Sequence, residues 1–184
     1  QQLKDSKAAQ QAYRRAIALN PDDFYSYRAI GTLYEADQNW QAMFKIFEQG
    51  ATRNLDLNLH LVMCWMFVPD TRVQQSGRAL ARARKLSIDY ADNPRTHLHH
   101  ALALYNARSP TGFSAAIAQA QALGADQASC LGLQLLGSLL RNERQKSQDL
   151  LAQFERARQT RTTEPLRRII ENLVQKTLVP RQPK

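Results

Sequence analysis

Three histidines within four positions, His97, His99 and His100, form the densest group of potential metal ligands or proton carriers in the chain. A helical metal pair prefers ligands at i and i+4 so that both reach one ion, and no Cys or carboxylate stands at that spacing from these histidines. The pattern implies packing at a surface or between helices rather than a metal centre. Cys64 and Cys130 lie 66 positions apart in apolar surroundings and read as two buried free thiols. A disulfide between them would require the fold to bring them together, so both a cytoplasmic and a bacterial periplasmic location stay open. The chain carries no Gly-rich phosphate loop, His-Glu-x-x-His, Cys-x-x-Cys or nucleophile elbow. We therefore expect no catalytic residues, no metal and no cofactor.

Cationic side chains are the next chemical resource. Arg78, Arg82 and Lys85 fall at i, i+4 and i+7, one stripe of a helix, and Arg156, Arg158, Arg161, Arg167 and Arg168 make a second basic region. Residues 1–92 contain 12 Lys/Arg against 10 Asp/Glu, and residues 93–184 contain 13 against 6, so most of the net charge of +9 belongs to the second half. Either these are solvated faces, or they attract an acidic protein, an anionic membrane surface or nucleic-acid phosphates. Few aromatics interleave the arginines from Arg156 to Arg168, which argues against base stacking.

The elements that must position these groups are helices. Apolar residues recur at helical spacing almost throughout, nothing alternates with period two, and seven Gly and seven Pro in 184 residues supply little of the turn chemistry of a β fold. The expected helices are Ala8 to Asn20, Phe24 to Ala36, Trp40 to Arg53, Leu57 to Val68, about Val73 to Tyr90, one from Asn93-Pro94, and one from Phe113 to Leu123. Two further helices carry Leu133, Leu136, Gly137 and Leu140, paired with Leu150, Phe154 and Ala157. A last one begins at Thr163-Glu164-Pro165, with Leu166, Ile169, Ile170, Leu173 and Val174 opposite Arg167, Arg168, Glu171 and Lys176. The longest uninterrupted apolar run, Leu61 to Val68, is far short of the roughly 18–20 residues of a spanning helix.

Phe24 to Leu55 is the sharpest stretch. Tyr27, Ile30, Gly31 and Tyr34 mark one helix face, and Trp40, Met43, Phe47 and Gly50 mark a second helix. Gly31 and Gly50 would let two antiparallel helices approach while the aromatics fill the gaps. A two-helix unit of about 34 residues is the tetratricopeptide period, and these residues resemble the tetratricopeptide repeat family. Ala9, Tyr13, Ala16 and Pro21 match the second half of a preceding repeat; Leu133, Leu136, Gly137, Leu140, Phe154 and Ala157 match a later one with an extra residue in the turn. Between them Met43 stands for the family's alanine, Leu55 for its proline and Trp65 for its glycine, which describes an irregular member.

The resemblance implies an all-α, right-handed superhelix of antiparallel helix pairs, about four or five repeats over residues 1–162, with residues 163–184 as a capping helix and short basic tail. It also implies a fragment of a larger bacterial protein, since the chain opens inside what reads as the second helix of a repeat. The implied function is a non-catalytic scaffold that holds a protein or peptide segment in a concave groove, in a bacterial assembly, secretion or envelope complex. The alternatives are a nucleic-acid or anion-binding basic surface and a regulatory domain of a multidomain protein. In the family the first helix of each pair lines the groove. That maps Tyr25, Arg28, Thr32 and Glu35, then Leu59, Val62 and Met66, then Arg95 and Tyr105, then Gln134, Ser138 and Arg141 onto it. The family's carboxylate-gripping Lys and Asn are replaced by Arg28 and Thr32, so that activity is not implied. Leu57 to Val68 is apolar on almost every side and therefore reads either as a buried central helix or as an apolar groove floor.

Overall fold

The computed structural model describes residues 2–159 and 165–178, with side chains from Lys7 to Gln159 and Leu166 to Leu178. Arg161, Thr163 and Glu164 lie outside the described residues. Ten helices account for nearly all of what is described: α1 (Gln2–Leu19), α2 (Phe24–Ala36), α3 (Trp40–Ala51), α4 (Leu55–Phe67), α5 (Ser76–Asp89), α6 (Pro94–Asn106), α7 (Phe113–Ala122), α8 (Gln127–Leu140), α9 (Arg144–Ala157) and α10 (Pro165–Leu178). Among the described residues there is no strand.

Short polar side chains start these helices. Asp23, Asn39, Asn54, Asn93 and Asp126 accept hydrogen bonds from the N–H groups of Tyr25, Ala42, Leu57, Arg95 and Ser129, which would otherwise be orphaned. Four helix ends then share one turn, with glycine at its centre in Leu123–Gly124–Ala125 and another residue there in the other three. In Asp37–Gln38–Asn39, Ala107–Arg108–Ser109 and Arg141–Asn142–Glu143 the third N–H reaches back to the carbonyl of Tyr34, Leu104 and Ser138 respectively. The middle residue takes φ of 54°, 52° and 55°. Arg108 and Asn142 are 34 positions apart, and Gln38 and Arg108 are 70 apart, or two intervals of 35. Where the intervening turn would fall, Pro69 and a 3-10 turn at Thr71–Val73 separate α4 from α5 instead. The Gln75 N–H bonds the Trp65 carbonyl at 2.9 Å, and α5 therefore starts at Ser76 rather than near Val73.

The chain divides into two compact units, Gln1–Ala79 and Leu80–Lys184. In the first, α2 packs on α1 and α3, and α4 on α3 and α2. In the second, α6 pairs with α7, and α8 is central, touching α6, α7, α9 and α10. Tyr27, Ile30, Phe47 and Leu57 form the first core; Leu102, Ile117, Leu133, Phe154 and Ile170 form the second.

Glycines set the close approaches. A Cβ on Gly31 would lie 2.1 Å from the Phe47 ring, and one on Gly50 2.5 Å from Leu57 and 3.0 Å from Tyr27. In the second unit α8 packs on α9 as expected, and its two glycines receive different rings. Gly137 meets Phe113 of α7, at 2.5 Å, whereas Phe154 of α9 lies over Gly132, whose Cβ would also strike Ile170 at 2.4 Å. The apolar run of α8 offers Gly132 as well as Gly137, and packing on four neighbours decides which ring each receives.

The last helix brings a correction. Leu166, Ile170 and Val174 are buried as expected, but Arg167 is buried too, at 2 % exposure, rather than on the polar face. Its guanidinium donates to the Arg158 carbonyl at 2.6 Å and to Glu171 at 3.0 Å, and stands 3.6 Å from Asp126. It thus joins α10 to the end of α9 and the cap of α8.

Gly31→Ala should destabilise the chain by about 1–2 kcal/mol, because overpacking against the buried Phe47 ring costs more than alanine gains in helix propensity. Gly77 has open space around its Cβ position, and Gly77→Ala should leave stability unchanged or raise it by up to about 1 kcal/mol. Urea unfolding midpoints at constant slope check both.

Candidate functional site

Helix α2 buries Ser26, Tyr27, Ile30 and Gly31, which leaves its other side free to carry function. On that side Tyr25 is 77 % exposed, and Arg28, Thr32 and Glu35 are exposed as well. The Thr32 hydroxyl donates to the Arg28 carbonyl at 3.1 Å and so is engaged within its own helix. The four side chains form a stripe one aromatic, one cation, one hydroxyl and one carboxylate long.

The part of α4 beside this stripe is not the one that the spacing implies. Leu59, Val62 and Met66 are each at or below 1 % exposed and are core, so they do not line an open groove. The accessible face of α4 instead carries exposed Asp56 and half-buried His60, Cys64 and Phe67. His60 lies edge-on to the Phe47 ring at 4.8 Å and to the Phe24 ring at 6.4 Å. Burial, with a smaller contribution from the Arg28 charge, lowers its pKa from 6.5 to about 4. Burial, aided by the Glu35 charge, pushes the Cys64 thiol up to about 12. The ring is therefore neutral and the sulfur a thiol at neutral pH, a poor setting for a nucleophile. No local sequence signal marks His60; it is found only through Phe24 and Phe47.

In the second unit the structure brings together two of the expected residues. Tyr105 and Arg141 line a cleft of about 430 Å³ with Leu104, Arg108, Phe113 and Leu140. Arg95 and Gln134 are half-buried outside it, and Ser138 is fully buried, bonded to Ser147 of α9 at 2.8 Å. Arg141 pairs with Glu143 at 2.7 Å. Arg108 is a lining residue the sequence did not single out, and Phe113 and Leu140, read there only as helix positions, line the cleft as well. The Ser109–Gly112 turn was legible, but nothing in it says that the turn walls a cleft.

The basic stripes are largely engaged. Arg78 pairs with Glu48 at 2.8 Å and stacks 4.6 Å from the Trp65 ring. Lys85 pairs with Asp89 at 2.8 Å, and Arg82 is half-buried. Arg158 pairs with Glu155, and Arg156 donates to the Ala152 carbonyl. The three histidines bond locally: His97 to the Ala91 carbonyl, His99 to the Arg95 carbonyl, His100 to the Ser87 hydroxyl. Among the described residues no three His, Cys, Asp or Glu side chains gather as a metal site. Both cysteines are free thiols, and no described helix is long and apolar enough to cross a membrane. Comparison with protein-family models, with curated proteins and with solved structures finds no match to this chain.

Two outcomes follow from these placements. Val62→Glu with Met66→Glu should abolish the cooperative unfolding transition, since two carboxylates would be buried without partners; circular dichroism and thermal melting check this. His60 stays neutral in the folded chain down to about pH 4 but protonates near 6.5 when unfolded. Its contribution is therefore complete above about pH 6.5 and is lost as pH falls towards about 4, on the order of 3 kcal/mol in all. Urea titrations across that window should show the loss, and His60→Phe should flatten it.

Proposed function

We propose that this chain is a tetratricopeptide-like repeat scaffold that binds a protein segment along the exposed face of α2. The observation that carries the reading is the left-handed turn with a non-glycine residue at its centre, at Gln38, Arg108 and Asn142, with separations of 70 and 34 residues that fit a period of about 35. A period of that length is what a stacked two-helix repeat requires. A helix that has already buried Tyr27 and Ile30 can present Tyr25, Arg28, Thr32 and Glu35 without losing core contacts. Exposed Tyr and Arg are the residue types that most often dominate binding at an interface, and side chains fixed on a rigid helix lose little freedom on association. The ligand would lie against α2 and the accessible α4 face, touching Phe67 rather than the buried Val62 and Met66.

Tyr25→Ala with Arg28→Glu should abolish partner capture while leaving helical content intact and the melting midpoint within a few degrees. The full-length chain and the variant are compared as baits in lysate of the source organism, with bound proteins identified by mass spectrometry. A protein held by the wild type and lost by the folded variant supports the reading. Equal capture by both baits, or recovery of material that nuclease removes, overturns it and points to the basic surface.

A further inference from the structure

The cleft of the second unit combines features that define a ligand more closely than α2 does. Its floor is the Phe113 ring, 5 % exposed and seated against the backbone of Gly137, where a Cβ would lie 2.5 Å from the ring. Leu104, also buried, and half-buried Tyr105 continue that floor. Leu140 forms one wall and is 51 % exposed although its helix is otherwise among the most buried. At about 430 Å³ the space accommodates a large side chain, and it lies within the usual range of ligand pockets. Pro110, Leu140 and Arg141 are exposed at its edge, so a ligand longer than the cleft can continue past it.

Charge decides the chemistry of that ligand. Two guanidinium groups border the cleft. Arg141 is already held by Glu143 at 2.7 Å. Arg108 is exposed, with no ion-pair partner among the described residues, and is held at φ 52° in a turn that glycine would occupy with less strain. The described residues 93–159 and 166–178 carry 10 Lys/Arg against 5 Asp/Glu, so the net charge of this part of the unit also favours an anionic ligand. A guanidinium beside an apolar floor matches a carboxylate next to a large apolar group.

We infer that this cleft binds an acidic peptide segment, seating one large apolar side chain on Phe113 and Leu140 while a neighbouring carboxylate pairs with Arg108. The inference rests on the reading of the chain as a scaffold for protein segments and assigns it a second contact site with its own chemistry.

The test is a fluorescence-polarisation titration of the full chain with a labelled decapeptide in which one phenylalanine is flanked by two aspartates within glycine and serine. Saturable binding below about 1 mM is expected. Arg108→Gln and, separately, Leu140→Ser should each weaken it about tenfold or more, with unchanged circular dichroism. The same peptide with lysines for aspartates should bind at least about tenfold more weakly. Absence of saturation, equal affinity for the lysine peptide, or indifference to both substitutions would overturn the inference. Displacement by octanoate at equal affinity would overturn the peptide assignment in favour of a small amphipathic carboxylate. The Tyr25→Ala, Arg28→Glu variant should bind the decapeptide as the wild type does. If the decapeptide fails while capture through α2 stands, this site falls and the scaffold reading survives; if both fail, both fall.

Discussion

An aromatic ring resting on bare helix backbone is the constraint from which the rest of this structure follows. Phe47 on Gly31 in one unit and Phe113 on Gly137 in the other occupy space that a single methyl group would take, and at Gly132 Ile170 does so with the Phe154 ring beside it. Each contact fixes how close two helices come and how they are rotated about their axes, because the ring fits only where the Cβ is missing. The faces turned outward are the complement of those turned in. Tyr25 and Arg28 are exposed on α2 because Tyr27, Ile30 and Gly31 face α3 and the core.

The same geometry builds the cleft. Phe113 cannot move deeper without meeting the Gly137 backbone, so the ring stays as a floor below the turn that carries Arg108. The left-handed turn ends α6 abruptly and starts the return to α7 within a few residues. A floor, a wall at Leu140 and a cation at the rim thus come from one packing decision and one backbone conformation.

Several cations are held in ion pairs, most of them at the surface. Arg78, Lys85, Arg141, Arg158 and Arg167 each have a carboxylate partner, and the exposed pairs among them are worth little individually. Arg167 is different. Burial removes its hydration, and two carboxylates and a carbonyl replace it. The net charge of +9 already counts these pairs as neutral, so unpaired positions such as Arg108 carry its chemical meaning at the surface.

The sequence by itself determined the helices and the close approach at Gly31 and Gly50, because these depend on periodicity and on missing side chains. It placed α2 at the observed limits, and the family resemblance, which set Tyr25, Arg28, Thr32 and Glu35 in a groove, picked out side chains that are exposed on that helix. Only the tertiary structure decided which sides of α4 and α8 are covered. A helix apolar all round carries almost no phase information, so its rotation is set by neighbours: α4 exposes His60 and Phe67 instead of Val62 and Met66, and α8 presents Leu140 and Arg141 to the cleft but buries Ser138. Arg167 went inward for a related reason. A helical wheel records the order of side chains around an axis, whereas the partners that make a buried guanidinium stable, Asp126 and the Arg158 carbonyl, arrive from other helices.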